Sequence, residues 1–237
     1  MTINEIISRV RALYGKGTAS DDIRLSDRLI YEKMCSSRAL FVKREIDKKR
    51  QVSDWIVQTI ACLELQDALP NECPCAPSPG CKILRSKKKI PKPVQSVIGA
   101  ELESVSNQDG SVMYSKTDWV KKKYKSGDKY TSGNPDYFIK DGYLFITTNS
   151  LLKYISISGV FEDPLEPLYV NACLTGCIYP HDEEFPIDAH LLDAVVQGAV
   201  QELIGMFKTM PVDNTNNAAE EGRIAPPAAK QQPQQQR

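Results

Sequence analysis

The chain has 237 residues, 30 basic against 30 acidic side chains and 41% apolar content, enough for one globular body or two small ones and too apolar for a disordered protein. Zero net charge and a pI near 6.7 argue against a protein whose main task is neutralising nucleic-acid phosphates, which needs a cationic surplus on one face. No stretch reaches the roughly 20 nearly uncharged residues of a membrane span, the N-terminal MTINEIISRVR lacks the apolar core of a signal peptide, and an odd count of seven cysteines points to a reducing compartment or at least one unpaired thiol.

Thr2 and Glu5 have capping-box spacing, and Ile3, Ile6, Ile7, Val10, Leu13 and Tyr14 then fall on one helical face until Gly15 and Gly17. Ser26 reads as the N-cap of a longer helix running to about Lys49, with Leu29, Ile30, Met34 and Phe41 as its apolar stripe. These two helices are expected to pack together. From Val52 the character changes: WIVQTIACLEL is rich in β-branched residues, DALPNECPCAPSPGC is punctuated by Pro and Cys, and CKILRSKKKIPKP follows. Short strands fit this stretch. Asp109-Gly110 and Asp141-Gly142 are hairpin signals, the second between YFIK and YLFIT, and KYISISGVF at 153–161 alternates like a strand.

After Pro186 and Asp188, the residues Leu191, Leu192, Val195, Val196, Ala199, Val200, Leu203, Ile204 and Phe207 form a wide helical stripe closed by Pro211. Its glycines, Gly198 and Gly205, each cost about 1 kcal/mol in a helix interior, which a close helix crossing would offset. The tail from Pro211 to Arg237 is rich in Gln and Pro, with Val212 and Ile224 as its sizeable apolar side chains, and reads as a flexible arm that orders only against a partner. The resulting expectation is an α+β fold. Segments 1–51 and 186–210 form a helical bundle, 52–185 is a small antiparallel β insertion with a Cys/Pro loop, and 211–237 is the arm.

Cys73, Cys75 and Cys81 crowd together and Cys173 and Cys177 lie four apart, spacings that match zinc knuckles poorly. Completion of a metal set by Cys62 or His181, a Cys73–Cys81 disulfide and free thiols all stay open. His181 lies in the acidic loop HDEE and His190 near a helix start. No phosphate loop, nucleophile elbow or H-E-x-x-H pair is present. Asp182, Glu183, Glu184 and Asp188 lack the register of a hard-cation loop. No catalytic, cofactor or metal site is therefore assigned. Charge is uneven along the chain: residues 82–129 hold twelve Lys/Arg against five acids, including Lys87, Lys88, Lys89 and Lys121, Lys122, Lys123, whereas 154–207 hold nine acids and no Lys or Arg. Two electrically opposed ends suit contacts between copies. The basic runs are expected on an intersubunit or outer surface, since a cationic channel lining would hold passing DNA. Tyr124 and Tyr130 near the basic run offer stacking faces, without an RNA-binding signature.

The order LSDRLIYEKMCSSRALFVKRE, WIVQTIACLEL, GCKILRSKKKIPKPV, YFIKDGYLFIT, KYISISGVFEDP and EFPIDAHLLDAVVQGAVQEL resembles neck proteins of tailed bacteriophages, in particular the ring-forming, adaptor-like structural proteins of crAss-like phages. The likeness covers residues 1 to 210. It implies a non-enzymatic head-to-tail connector: a helical bundle with a β-rich insertion, assembled as a twelvefold homo-oligomeric ring below the portal protein. Such a ring extends the DNA channel, closes the neck after packaging and docks the next tail ring. Viral DNA would pass without sequence-specific binding. The ring would sit in the virion neck or tail after assembly in the host bacterial cytoplasm, away from any membrane. A long Cys/Pro loop and the polar arm depart from the smallest connectors.

Overall fold

The computed structural model describes residues 1–16, 25–48, 53–69, 72, 83–96, 99–100, 102–118, 135–147, 152–174, 176 and 179–208. Gly17, Cys73, Cys75, Cys81, Cys177, the run Lys121–Lys123, Tyr124, Tyr130 and the 211–237 arm lie outside these residues.

Helix α1 spans Ile3–Tyr14. Its capping box is closed on both sides: the Glu5 N–H donates to Thr2 Oγ1 at 3.3 Å and the Thr2 N–H donates to the Glu5 carboxylate at 3.0 Å. Helix α2 spans Asp27–Asp47, capped by Ser26, whose Oγ accepts from the Leu29 N–H at 3.3 Å. A short helix α3 covers Glu166–Val170, and α4 covers Ala189–Lys208. Ile6, Ile7 and Val10 of α1, Ile30 and Met34 of α2, and Val195, Ala199 and Leu203 of α4 share one apolar cluster. Helices α2 and α4 run antiparallel: the Ser37 hydroxyl donates to the Val195 carbonyl at 3.1 Å, and Lys33 lies 3.6 Å from Glu202 one turn further along. Gly198 makes this approach possible, because a Cβ there would overlap the Ser37 hydroxyl and sit 3.4 Å from the Phe41 ring. Gly205 has open space around it.

The strands are β1 Gln58–Asp67, β2 Ile83–Ser86, β3 Gln95–Ser96, β4 Gly99–Ala100, β5 Ser104–Asn107, β6 Ser115–Lys116, β7 Asp136–Lys140, β8 Tyr143–Thr147 and β9 Tyr154–Gly159. Seven of them form one sheet in the order β5-β9-β1-β2-β8-β7-β6, and β3 and β4 form a separate hairpin. All pairs in the large sheet are antiparallel except β6–β7, which is parallel. The two ends of the sheet come back together. The Tyr114 N–H donates to the Val105 carbonyl of β5 at 2.8 Å, while the next residues, as β6, pair with β7 and extend to the Thr117 N–H, 2.9 Å from the Tyr137 carbonyl. The sheet is thus nearly closed into a barrel, which leaves little free edge for unwanted strand pairing.

Alternation decides what fills the barrel. Ile155 and Ile157 of β9, Leu144 and Ile146 of β8, Tyr137 of β7 and Val105 of β5 all face one core. In β1 the register shifts between Ile60 and Leu63, a bulge that lets both of these join that core although they are three residues apart. On the other face of β2, β7 and β8, Ile83, Phe138 and Phe145 make a smaller cluster, with the two phenyl rings stacked 5.0 Å apart. Both hairpin signals are real turns. Asp141 and Gly142 have φ of 53° and 80°, the primed geometry, and Gly110 has φ of 69° in a turn braced by the Asp109 carboxylate, which accepts from the Ser111 N–H.

The expected architecture is therefore overturned: this is not a helical bundle bearing a small antiparallel insertion, but a mixed fold in which a seven-stranded, nearly closed sheet stands beside four described helices. The strands looked minor because they are short and separated by Pro, Cys and Lys-rich stretches, while their partners lie far along the chain: β5 and β1 both pair with β9. Two boundaries also move. Trp55 and Ile56 lie in a turn before β1, and α2 ends at Asp47 with Lys48 as its C-cap.

Candidate functional site

The join between helices and sheet rests on Arg38. Ile30, Met34, Arg38 and Val42 occupy successive i, i+4 positions of α2 and are all buried, so the guanidinium enters the protein where an apolar residue would be expected. It is 0% exposed. Its Nε donates to the Pro186 carbonyl at 2.7 Å, one terminal nitrogen to the Phe161 carbonyl at 2.7 Å and the other to the Ile56 carbonyl at 3.5 Å, with the Phe185 ring 5.8 Å away. Three loops, before β1, after β9 and before α4, are thereby tied to one helix. Burial pulls the Arg38 pKa down to about 10, so it stays charged at neutral pH and its carbonyl partners receive charge-assisted bonds. Val42, Ile56, Val94, Val160 and Leu191 pack in the same seam.

Beside Arg38, Tyr31 donates to the Asp163 carboxylate at 2.6 Å. Burial, reinforced by Cys35 and Asp163, raises the Tyr31 pKa, and burial pushes the Cys35 thiol up to about 12. A thiol so rarely ionised is a poor nucleophile at neutral pH.

Two surfaces flank this seam. On one, the turn Ser53–Ile56 presents Trp55, 78% exposed, at the edge of a cleft of about 400 Å³ shared with Glu184, Pro186 and Asp188. The Ile56 N–H donates to the Ser53 carbonyl at 3.0 Å, and Ile56 is only 3% exposed, so the indole stands on an anchored base. The neighbouring acidic loop is fixed by the start of the chain: the Ile3 N–H donates to the Glu183 carbonyl at 3.0 Å and the Phe185 N–H to the Met1 carbonyl at 3.1 Å. Asp182, Glu183 and Glu184 are exposed and make no ion pair among the described residues. The second surface is a groove of about 460 Å³ between the 90–95 segment and the β6–β7 side of the barrel, walled by Ile90, Pro91, Pro93, Phe138 and Ile139 and rimmed by Lys92 and Lys116.

The other residues singled out from the sequence are dispersed. His181 contributes its carbonyl to the Asn4 N–H at 3.0 Å, and His190 lies 4.0 Å from Asp188. Among the described residues, no three His, Cys, Asp or Glu side chains are arranged to hold a metal ion. Cys62 is not a spare metal ligand. It forms a disulfide with Cys173, with Cα atoms 5.5 Å apart, and accepts a hydrogen bond from the Gln108 amide at 3.0 Å. Cys173 thus pairs across 111 residues rather than acting with Cys177, a partnership that only the β1 bulge and the segment after α3 bring about. The sequence carried no signal for it.

The charge blocks are also less separate than the sequence suggested. Lys92 of the basic block meets Glu162 of the acidic block at 2.9 Å, Lys87 meets Glu64 at 2.9 Å, and Lys88 donates to the Tyr169 carbonyl at 2.7 Å. Asp193 and Glu202 are taken up by Arg9 and Lys33. What stays outward is local: the acidic loop of Asp182, Glu183 and Glu184 near Trp55. No described helix is long and apolar enough to cross a membrane.

These features offer surfaces for docking, and comparison with known proteins says what kind of protein carries them. The profile of the family described as phage tail ring protein 2 matches residues 5–222. Ring protein 2 of Bacteroides phage crAss001 is 29% identical over 234 residues, covering 93% of this chain and 98% of that protein. A match over nearly the whole chain, barrel and helices together, places it: the chain belongs to the phage tail ring protein 2 family, and is a structural ring protein of a crAss-like phage.

Proposed function

We propose that the chain is one subunit of a twelvefold ring in the phage neck, lying below the portal, where it extends the DNA channel and joins head to tail. The observation that carries this reading is the match to a ring family over residues 5–222. The fold supports it in two ways. A nearly closed sheet is a stiff body with little free edge, suited to a part that bears load without changing shape. Two dissimilar surfaces, an exposed acidic loop beside Trp55 and a mainly apolar groove beside Ile139, suit a ring, because each subunit meets its neighbours through different faces. Its work is mechanical and needs no turnover. Assembly takes place in the host cytoplasm, with the 211–237 arm reaching a neighbouring ring and DNA passing without sequence-specific contact.

The test is electron microscopy of the purified full chain mixed with the portal ring of the same phage. The expected result is an added annular layer with the portal's symmetry. A portal that stays bare at saturating subunit, with the layer forming on a tail component instead, rules out the position below the portal.

A further inference from the structure

We propose that the Cys62–Cys173 pair is a site of modification after folding: the chain folds and assembles as a dithiol, and a low-molecular-weight disulfide later closes the bridge, entering at Cys173. The timing rests on the reading that the subunit is assembled in the host cytoplasm and leaves in the particle; the order in which the sulfurs react does not. The two cysteines differ in access. Cys62 lies in β1 and is 3% exposed, whereas Cys173 lies on the exposed turn after α3. A sulfur compound arriving from solvent therefore meets Cys173 first. Bonds that involve no sulfur already bring the pair together. The Ala172 N–H donates to the Cys62 carbonyl at 2.9 Å, the Asn171 N–H to the Pro167 carbonyl at 3.2 Å, and the Cys173 N–H to the Asn171 side-chain oxygen at 3.2 Å. Val170 packs against the barrel core just before this turn, and Lys88 holds the Tyr169 carbonyl at 2.7 Å. These contacts keep the two Cα atoms at their 5.5 Å separation, within bridging range, without help from the bridge.

Closure is a pair of thiol–disulfide exchanges. The Cys173 thiol loses its proton to water, and the thiolate attacks one sulfur of the small disulfide; that S–S bond breaks, one small thiolate leaves, and a mixed disulfide stands on Cys173. The Cys62 thiol loses its proton in turn, and its thiolate attacks Cys173 Sγ and expels the second small thiolate. The protein dithiol gives up two electrons and two protons, and the small disulfide takes up both to become two thiols. The Gln108 amide lies 3.0 Å from Cys62 Sγ and 4.0 Å from Cys173 Sγ, so it donates where thiolate charge develops. Cys35, the free cysteine among the described residues, is a poor rival, because it belongs to the helical half and burial keeps its thiol protonated. Reduction uses the same entrance. Cytoplasmic thiols reach Cys173 and reopen the bridge, so a reducing cytoplasm keeps the pair open, and a released particle leaves that supply behind. The β1 bulge is then tied to the turn after α3 only once the particle is outside.

The experiment takes the full-length chain, reduces it under native conditions with a phosphine, removes the phosphine and adds glutathione disulfide. Samples are quenched with N-ethylmaleimide over time and mapped by peptide mass. The reduced chain is expected to keep the circular dichroism of the oxidised one, to carry glutathione first on Cys173, and then to convert to the Cys62–Cys173 peptide. Cys62→Ala should strand glutathione on Cys173, and in Cys173→Ala glutathione should reach Cys62 at least about tenfold more slowly than it reaches Cys173 in the wild type. In infected cells alkylated before lysis the subunit should give both thiols, and in purified particles the bridged peptide. A reduced wild-type chain that loses its circular dichroism, glutathione that arrives on Cys62 first, or a bridge already closed before lysis overturns the proposal and leaves the ring reading intact. Purified particles that lack this chain overturn the ring reading and, with it, the timing of closure.

Discussion

The helical side and the barrel side of this molecule are built from opposite kinds of information. Helix α1 declares its buried face within its own twelve residues: Ile3, Ile6, Ile7 and Val10 are a complete stripe before any partner is known. The barrel declares almost nothing locally. Strands of only two to six residues, apart from β1, become one sheet because Thr59 finds Ser158 and Val105 finds Ile157, pairings that carry a loop-closure cost before they return any stability. The difference teaches where the fold is vulnerable. The two halves have separate cores, and their union depends on a seam whose central polar element is one buried cation.

Breaking that seam should have the largest effect. Arg38→Met keeps an apolar stem of similar length but removes every donor, and the carbonyls of Phe161 and Pro186, each 2.7 Å from the guanidinium, cannot be mutated away. Buried acceptors left without partners cost about 1–3 kcal/mol each, partly offset by no longer desolvating a charge. A net loss of about 3 kcal/mol is expected in urea unfolding. Hydrogen exchange should then show helical amides opening independently of the barrel. A loss below about 1 kcal/mol, with cooperative exchange retained, would mean that the apolar seam around Ile56 and Leu191 is sufficient without the cation.

Next comes the Cys62–Cys173 staple, which acts on the barrel alone. Closing a 111-residue separation restricts the unfolded chain, and losing such a cross-link typically costs about 2–5 kcal/mol. Cys173→Ser is expected to lower stability in that range, with the faster exchange confined to β1, β5 and the segment after α3. An equal rise in exchange across α1 and α4 would show that the two halves are more tightly coupled than their separate cores suggest.

Much of the helical half was legible in advance, down to the reciprocal Thr2–Glu5 cap and the Ser26 N-cap, because capping and 3.6-residue periodicity are local rules. The 109–110 and 141–142 turns were legible for the same reason. What sequence reasoning missed is non-local or contrary to residue type. Arg38 looks like a solvent-facing residue on a polar helix, although its i, i+4 row with Ile30, Met34 and Val42 was the available clue. Cys62 and Cys173 pair only once β1 bulges. Trp55 was absorbed into a strand because Ile56 and Val57 beside it favour one, yet a turn at Ser53 holds it outside. The charge asymmetry was real by count, but the contact between Lys92 and Glu162 joins the two blocks.

The finest test lies within one helix. Both glycines of α4 break the propensity rule, and a close crossing was the expected reason for each. Only Gly198 has it, since a Cβ there meets the Ser37 hydroxyl that donates to Val195, with Phe41 behind it. Gly198→Ala should gain about 1 kcal/mol in helix propensity and lose more to the forced separation of α2 and α4, for a net destabilisation of about 1–2 kcal/mol. Gly205→Ala meets no neighbour and should be stabilising by up to about 1 kcal/mol. Opposite signs from the same substitution, seven residues apart, locate the closest α2–α4 approach at the Gly198 turn. If Gly198→Ala also stabilises, Ser37 has moved aside at little cost, and the helical half is less tightly specified than its local legibility implies.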